Sequence, residues 1–135
     1  KAAGCIGGAV VGAKSAIDYL RSRARTFMFT TSPPAAICAA GMEALSLIEE
    51  GSLREKLWEN IRRFSPDASS PIVPIVLGDN RKALEASEAL WEQGFWVPAI
   101  RPPAVPDGEA QLRVSITAAH RPEQLDRLRE ALAKI

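Results

Sequence analysis

The sequence predicts a mixed α/β protein whose second half is an α+β domain, with a small, largely antiparallel sheet covered on one face by helices. Beyond residue 70, strand-like and helix-like segments follow one another in the order strand, helix, strand, strand, helix. The last of these strands alternates apolar and polar residues, as a half-buried strand does. This succession of segments is typical of a sheet with helices packed on one side.

The composition limits the size of the core and the kind of partner. The 135 residues, 47% of them hydrophobic, suffice for one modest core, and no run of about 18 apolar residues indicates a membrane span. The 17 basic and 16 acidic residues are spread along the chain with a net charge of +1, so a small partner is expected rather than a nucleic acid. Two cysteines and one histidine are too few for a disulfide framework or a zinc cluster, which fits a reducing cytoplasm.

The first 50 residues are predicted to hold two strands and two helices. A glycine-rich loop leads into residues 9–11, a short apolar run that we interpret as a buried strand. A helix capped by Ser15 follows, and the aromatic and β-branched segment 26–31 predicts a second strand. A proline pair then leads into a long alanine-rich helix that ends near Glu50, with Gly51 as its C-terminal cap. We place the domain boundary here, between residues 1–50 and residues 51–135.

The next segments predict a helix, a strand and a helix. Ser52 and Glu55 form a capping box in front of a helix with apolar residues at helical spacing. Residues 72–77 are apolar almost throughout and predict a central strand, although Pro74 weakens that interpretation because it cannot donate to a neighbour. Asp79 or Asn80 caps the helix that follows. The predicted apolar stripe of that helix consists of Leu84, Ser87, Leu90 and Trp91.

Residues 94–120 predict a strand, a proline-stiffened turn and a second strand, with an arginine in each half. In the second strand Arg113 faces away from the core, because Leu112 and Val114 on either side of it point inward. Arg101 ends the first strand, and three prolines in the turn fix the backbone and hold this arginine in place. The face that Arg101 shares in its strand also carries Phe95, Val97 and Ala99. A closing helix begins at Pro122.

These patterns by themselves leave the chemistry open. Thr30 and Thr31 are either simple turn residues or, ahead of the free N–H groups of a helix, ligands for a phosphate. Arg113 is either a half-exposed strand arginine or a clamp for a carboxylate, which its planar guanidinium matches. From position alone, Lys1 is interpreted as a solvated lysine and His120 as a structural residue.

Three segments together resemble a known family. KAAGCIGGAVVG, residues 1–12, resembles the segment of fold-type-I pyridoxal-phosphate (PLP) enzymes that begins with the Schiff-base lysine. FMFTTSPPA, residues 27–35, is similar to the phosphate-contacting turn of the α-oxoamine synthases. AIRPPAVPDGEAQLRVSITAAH, residues 99–120, most closely resembles the branch of that family that makes 8-amino-7-oxononanoate in biotin synthesis. The resemblance covers essentially all of this chain but only the C-terminal part of the family's chain.

The resemblance implies a role for each candidate residue. Lys1 would bond covalently to PLP, and Thr30 and Thr31 would hydrogen-bond its phosphate across a homodimer interface. Arg113 would hold the carboxylate of the incoming amino acid, with Arg101 near the substrate. The implied substrates are L-alanine and a pimeloyl thioester, with no metal. Residues 1–50 would then be the end of the large PLP-binding domain with its bridging helix, residues 51–135 the small domain, and the rest of the large domain would lie upstream.

Two positions depart from the family pattern. Ala3 stands where the family has a large apolar residue, and Arg121 stands where it has a threonine-like helix cap. Two alternatives stay open: a sibling such as a glycine C-acetyltransferase, and a non-catalytic α+β module whose arginines bind an acidic ligand. The module would fold as a compact unit on its own. An enzyme fragment would be inactive alone and would expose apolar surface around residues 1–50.

Overall fold

The computed structural model describes residues 2–135, which form six helices and three strands. The helices are α1 (Lys14–Arg23), α2 (Arg25–Met28), α3 (Ala35–Glu50), α4 (Ser52–Phe64), α5 (Asn80–Glu92) and α6 (Pro122–Leu132). The strands are β1 (Ile72–Gly78), β2 (Ala99–Ile100) and β3 (Ala110–Ser115). The chain divides into two compact units, one that ends at Gly51 and one that begins at Ser52. Among residues 2–135, no helix has the length and apolar character that a membrane crossing requires.

The first unit contains α1, α2 and α3, none of which buries a residue. The predicted long helix is confirmed: α3 ends at Gly51, whose φ of 85° is left-handed and whose N–H donates to the Leu47 oxygen at 3.4 Å. Glycine adopts this conformation at no steric cost because it lacks a Cβ. The predicted cap of the first helix is wrong, because α1 begins at Lys14 and Ser15 lies inside it.

Both strands predicted for the first unit are wrong. Residues 9–11 have no regular secondary structure, and Val10 and Val11 are 71% and 91% exposed. Instead of a strand, residues 25–28 form α2, in which the N–H groups of Phe27 and Met28 donate to the Ala24 oxygen at 3.0 and 3.1 Å. A strand needs a neighbour for its hydrogen bonds, and residues 2–51 supply none. A local helical turn therefore satisfies the backbone of this segment.

The second unit contains the predicted small antiparallel sheet, with helices and strands in the predicted order, so the fold class is confirmed. The strand order is β1-β3-β2, and β3 pairs along its whole length with β1 and with both residues of β2. The prediction that β1 is central is wrong, because β3 takes that position. Pro74 lacks an N–H group, but its backbone nitrogen faces away from β3, so the pairing of β1 with β3 loses no hydrogen bond.

The core lies on one face of this sheet. β3 alternates as predicted, with Leu112 and Val114 buried and Arg113 exposed. All three helices of the unit bury side chains in the same cluster, so they cover this one face and leave the other face open. The core consists of Ile61, Phe64, Val73, Ala86, Leu90, Val97, Leu112, Val114, Ile116, Leu125, Leu128 and Ala131.

α5 is capped as predicted but turns a different face to the core. The Asp79 carboxylate accepts from the N–H groups of Arg81 and Lys82 at 2.9 and 3.0 Å, and these hydrogen bonds, with that from Lys82 first, hold the pKa of Asp79 below its usual range. The predicted stripe is partly wrong: Leu90 is buried, but Leu84 and Trp91 are exposed. The small residues Ala83 and Ala86 are buried instead, because they let the helix lie close to the sheet.

Candidate functional site

Arg113 lies in the middle of the open face of the sheet, held by prolines on both sides. It pairs with Pro74 of β1, and its N–H donates to the oxygen of Pro98, just before β2, at 3.0 Å. Because the φ angle of each proline is fixed, the backbone on either side of Arg113 has little freedom. The arginine is exposed on a central strand whose own position is set by two neighbours.

The guanidinium of Arg113 has no protein partner in the part of the chain that the structure describes. The three ion pairs among residues 2–135 join other residues, and no side-chain hydrogen bond involves Arg113. Its neighbours on the open face are the exposed Ile72, Val76 and Ser115. An arginine with no competing acid, on a rigid strand beside apolar side chains, presents both prongs of its fork to an incoming carboxylate.

Arg101 directly follows β2 and begins the proline-rich connection. Its oxygen accepts from the N–H of Ala104 at 3.0 Å, which closes a turn, and its side chain is exposed. The peptide between Pro102 and Pro103 is cis. Arg101 and Arg113 thus lie in the same unit, but no hydrogen bond or ion pair among the described residues links them.

The strand predicted before Arg101 is much shorter than expected. β2 holds only two residues, because residues 95–97 bond to α5, and Pro98 reaches β3 only through its oxygen. The N–H of Phe95 donates to the Leu90 oxygen at 2.9 Å, and the Ser87 hydroxyl donates to the Val97 oxygen at 2.7 Å. The prediction that residues 95–101 form one strand is therefore wrong, and the expected shared face is not kept, since Val97 is buried and Arg101 is exposed.

The turn after β3 is held by a residue that is not among the candidates predicted from the sequence. Asn60 of α4 is 5% exposed, and its Nδ2 donates to the oxygens of Thr117 and His120 at 2.9 and 3.0 Å. Within the turn, the N–H of Thr117 donates to Nδ1 of His120 at 3.1 Å. The sequence does contain a sign of this role, because Asn60 lies beside Ile61 on the apolar stripe of α4. A polar side chain at a buried position needs a hydrogen-bond partner.

α4, which carries Asn60, is fastened to α6. Arg63 donates to both carboxylate oxygens of Asp126 at 3.0 and 2.5 Å, and Arg129 donates to the Arg63 oxygen at 3.2 Å. The hydrogen bond from Arg63 holds the pKa of Asp126 below its usual range, and the same bond raises the pKa of Arg63. At the start of α6, Arg121 offers no side-chain acceptor, and Gln124 Oε1 accepts its backbone N–H at 2.8 Å.

A cleft of about 380 Å³ lies where the chain before β2 separates from β3. The guanidinium of Arg127 lies 5.5 Å from the centroid of the Phe95 ring, within the range of a cation–π contact. Trp96 at the cleft is 82% exposed. The polar residues that line the cleft include Ser115, His120 and Gln124.

Thr30 and Thr31 lie in the first unit, between α2 and α3. Both are exposed, and they precede an α3 N-terminus at Pro34 that no side chain caps. Hydroxyl groups ahead of uncapped helix N–H groups are suited to a phosphate, so the described residues fit this part of a phosphate-bearing cofactor. Lys1, the predicted covalent ligand, lies outside the described residues. The structure thus gives two groups of candidates, Thr30 with Thr31 in one unit and Arg101 with Arg113 in the other.

Comparisons with known proteins give the family context of these residues. The aminotransferase class I and II family matches residues 1–132. An 8-amino-7-oxononanoate synthase of Methylococcus capsulatus is 49% identical over 98% of this chain and 37% of its own length. A putative 8-amino-7-oxononanoate synthase of Desulforudis audaxviator is 44% identical over 99% of this chain and 38% of its own length. The chain thus spans a little over a third of the length of the curated relatives that it matches.

Solved structures match over nearly the whole chain as well. A serine palmitoyltransferase of Sphingomonas wittichii has a TM-score of 0.88 and 31% identity, over 99% of this chain and 37% of the other. An 8-amino-7-oxononanoate synthase of Francisella tularensis has a TM-score of 0.76 and 25% identity, over 90% of this chain and 39% of the other. The family match covers far more than half of the chain, and the solved structures share its fold. The chain belongs to the aminotransferase class I and II family.

Proposed function

We propose that this chain is the C-terminal part of a PLP-dependent α-oxoamine synthase, specifically of an 8-amino-7-oxononanoate synthase. The observation that carries the proposal is Arg113, exposed and without a protein partner among the described residues, on a strand fixed by prolines on both sides. Such an arginine suits the carboxylate of an amino acid. The similarity to 8-amino-7-oxononanoate synthases supports the synthesis of 8-amino-7-oxononanoate as the reaction. The similarity to a solved structure of serine palmitoyltransferase with PLP supports PLP as the cofactor.

The proposed reaction joins L-alanine to a pimeloyl thioester. The bond between Cα and the carboxylate of alanine breaks, a bond forms between Cα and the acyl carbon, and carbon dioxide and the thiol leave. PLP, when bound, supplies the electron sink for the alanine Cα. The protein binds and orients both substrates around it.

Each candidate residue has a separate task in this proposal. Lys1 holds the cofactor covalently, which suits an amine that loses its proton readily in a sheltered site. Thr30 and Thr31 bind the cofactor phosphate from the partner subunit of a homodimer. Arg113 holds the alanine carboxylate with two parallel hydrogen bonds, and Arg101 lies beside the substrate.

Exposed apolar side chains in the first unit favour an enzyme fragment over a self-contained binding module. Large apolar residues of that unit that are at least half exposed are Ile6, Val10, Val11, Tyr19, Phe27, Met28, Phe29, Met42 and Leu45. Apolar exposure of this kind was expected of an enzyme fragment, and it supports that interpretation. We propose that the upstream part of the same cytoplasmic enzyme covers this surface, and that residues 1–135 alone are inactive.

A sibling enzyme is the second candidate within the same class. The likeness to serine palmitoyltransferase structures favours it, because that fold neighbour works on a different pair of substrates according to its name. A sibling such as a glycine C-acetyltransferase would keep Lys1 and Arg113 in the same tasks and differ in the acyl thioester.

Substrate competition in an intact enzyme containing this chain distinguishes the candidates. Purified enzyme with PLP is offered L-alanine, glycine or L-serine in combination with pimeloyl, acetyl or palmitoyl thioesters, and the products are identified by mass. We expect 8-amino-7-oxononanoate from L-alanine with the pimeloyl thioester as the main product. Preferred turnover of glycine with the acetyl thioester would instead establish the sibling, and no condensation with any pair would refute the class.

The task of Lys1 has a spectroscopic test. The intact enzyme with Lys1→Ala should lose the visible absorbance that a lysine-bound PLP gives, because alanine has no amine that could bond to the cofactor. The variant Lys14→Ala is the matched control, because Lys14 is an exposed lysine of α1 that pairs with Asp18. Persistence of the visible band in Lys1→Ala would show that another residue holds the cofactor.

A further inference from the structure

Asn60 is the buried polar side chain of the described core, and it connects α4 to the end of the central strand. Both hydrogens of its amide are used, one on the Thr117 oxygen at 2.9 Å and one on the His120 oxygen at 3.0 Å. Two carbonyl groups three residues apart therefore converge on one amide group. Without that amide, the His120 oxygen would lose its partner, and the Thr117 oxygen would keep only the longer bond of 3.4 Å from the N–H of His120. A polar group left without a partner in this partly buried place costs more than the bond contributes.

The turn that Asn60 holds directly continues the strand of Arg113. Arg113 and Thr117 lie four residues apart, and between them the N–H of Ile116 donates to the Pro71 oxygen at 2.8 Å. Inside the turn, the N–H of Thr117 donates to His120 Nδ1 at 3.1 Å. The end of β3 is thus held from three directions, by Pro71, by His120 and by Asn60.

The guanidinium of Arg113 depends on this backbone for its position. No hydrogen bond or ion pair among residues 2–135 fixes the side chain itself, so its placement follows from the strand that carries it. The helix that carries Asn60, α4, is itself held against α6 by the Arg63–Asp126 pair and by the hydrogen bond from Arg129 to the Arg63 oxygen. Small displacements of a binding group are costly, since a misplacement of about 1 Å can lower a rate about 100-fold.

We propose that Asn60 is a positioning residue for the amino-acid substrate: through the Thr117–His120 turn it fixes the end of β3 and thereby the carboxylate-binding Arg113. This rests on the proposed function, in which Arg113 binds that carboxylate. Asn60 does not touch the substrate, so its effect should appear in amino-acid affinity and depend on the presence of Arg113.

A double-mutant cycle in the intact enzyme tests this. Asn60→Leu keeps the shape of the side chain and removes both donors, and Arg113→Ala removes the clamp. We expect Asn60→Leu to raise the KM for the amino acid roughly 10-fold with the KM for the thioester changed less than about 2-fold. In the Arg113→Ala background, the same substitution should raise the amino-acid KM less than about 2-fold further.

Asp79→Ala is the matched structural control. It removes the cap of α5 and so destabilises the same unit, but the side-chain hydrogen bonds of Asp79 go to Arg81 and Lys82 and not to the turn. We expect it to lower the melting temperature and leave the amino-acid KM unchanged. If Asn60→Leu behaved like this control, with lower stability and an unchanged KM, Asn60 would have a structural role only and the proposal would be wrong.

The outcomes separate this proposal from the proposed function. If Arg113→Ala raises the amino-acid KM and Asn60→Leu does not, only the task of Asn60 is refuted. If Arg113→Ala has no effect, the carboxylate clamp and the task of Asn60 fail together. Should Asn60→Leu fail to fold, His120→Ala loosens the same turn by removing one acceptor, and an unchanged amino-acid KM in that variant would overturn the proposal.

Discussion

Replacing Arg113 gives the most direct measure of the proposed carboxylate site. A planar guanidinium that binds a carboxylate with two charge-assisted hydrogen bonds gains about 1.5–3 kcal/mol from each in a favourable case. Arg113 is exposed on the open face of the sheet, so water competes for both bonds, and about half of that sum is a reasonable expectation. A loss of about 1.5–3 kcal/mol corresponds to a roughly 10- to 150-fold weaker binding of the amino acid.

The side chain that replaces Arg113 decides how much of this is lost. Arg113→Ala removes the charge and both donors, and should cause the full loss. Arg113→Lys keeps the charge but offers a compact ammonium in place of the planar fork, so about 10-fold weaker binding is expected. The measurement is the amino-acid KM of the intact enzyme from initial rates at saturating thioester, together with the dissociation constant from titration of the cofactor spectrum.

Arg127→Ala is the matched control for charge. Arg127 lies in the same unit and its loss changes the net charge equally, but its guanidinium lies over the Phe95 ring, 5.5 Å from the centroid. It should leave the amino-acid KM within about 2-fold of the unchanged enzyme, because Arg127 belongs to α6, which packs on the core face of the sheet, whereas Arg113 lies on the opposite face. If both alanine variants weakened binding equally, a general effect of charge would explain the result, and the carboxylate clamp would be refuted.

Two further predictions concern the stability of the second unit. Leu112 is fully buried on the central strand, so Leu112→Ala should lower the free energy of unfolding, measured by urea denaturation, by about 3 kcal/mol. Val76 is 61% exposed on the edge strand, so Val76→Ala should change this free energy by less than about 0.5 kcal/mol. Equal losses in the two variants would contradict a core on one face of the sheet. Because Arg63 lowers the pKa of Asp126, the pair stabilises the fold above the ordinary carboxyl value of 3.8 and loses this contribution as the pH falls through the lowered value. The difference in urea midpoint between the unchanged protein and Asp126→Asn should therefore be constant from pH 7 to about pH 5 and shrink below about pH 4, and a difference that grew on acidification would contradict the assignment.

The sequence predicted the second unit well because most of its signals have their partners close by. The alternation in β3 needs only one apolar face, and Asp79 caps a helix two and three residues away. The prediction that β1 is central was wrong, because a strand at the edge of a sheet can be as apolar as a central one. Only Pro74 indicated the edge position, since proline is tolerated there. Which neighbour a strand takes depends on the whole sheet and is not written in its own residues.

The candidate site was predictable to a different degree at each residue. The strand face of Arg113 follows from alternation alone, and the structure places it there. The flanking Pro74 and Pro98 lie 39 and 15 residues away along the chain, and the pairing that brings them beside Arg113 was not visible in the sequence. Asn60 was missed for the same reason, since its partners lie 57 and 60 residues further on.

In the first unit, two segments with the composition of strands have no neighbouring strand among residues 2–51. Residues 26–31 carry the aromatic and β-branched composition of a strand, yet residues 25–28 form a helix, because no strand among residues 2–51 can accept their hydrogen bonds. Val10 and Val11 have the composition of a buried strand and are exposed for want of a covering layer. α3, by contrast, forms as predicted, because a helix satisfies its backbone from within and Gly51 ends it locally. We infer that the composition of these two segments suits a longer protein in which neighbouring strands are present. If a segment that corresponds to the remaining length of the relatives covers this unit, as we propose, residues 9–11 and 26–31 should form strands in the intact enzyme. Their amide hydrogens should then be protected from exchange with solvent. Rapid exchange in both segments would contradict this account.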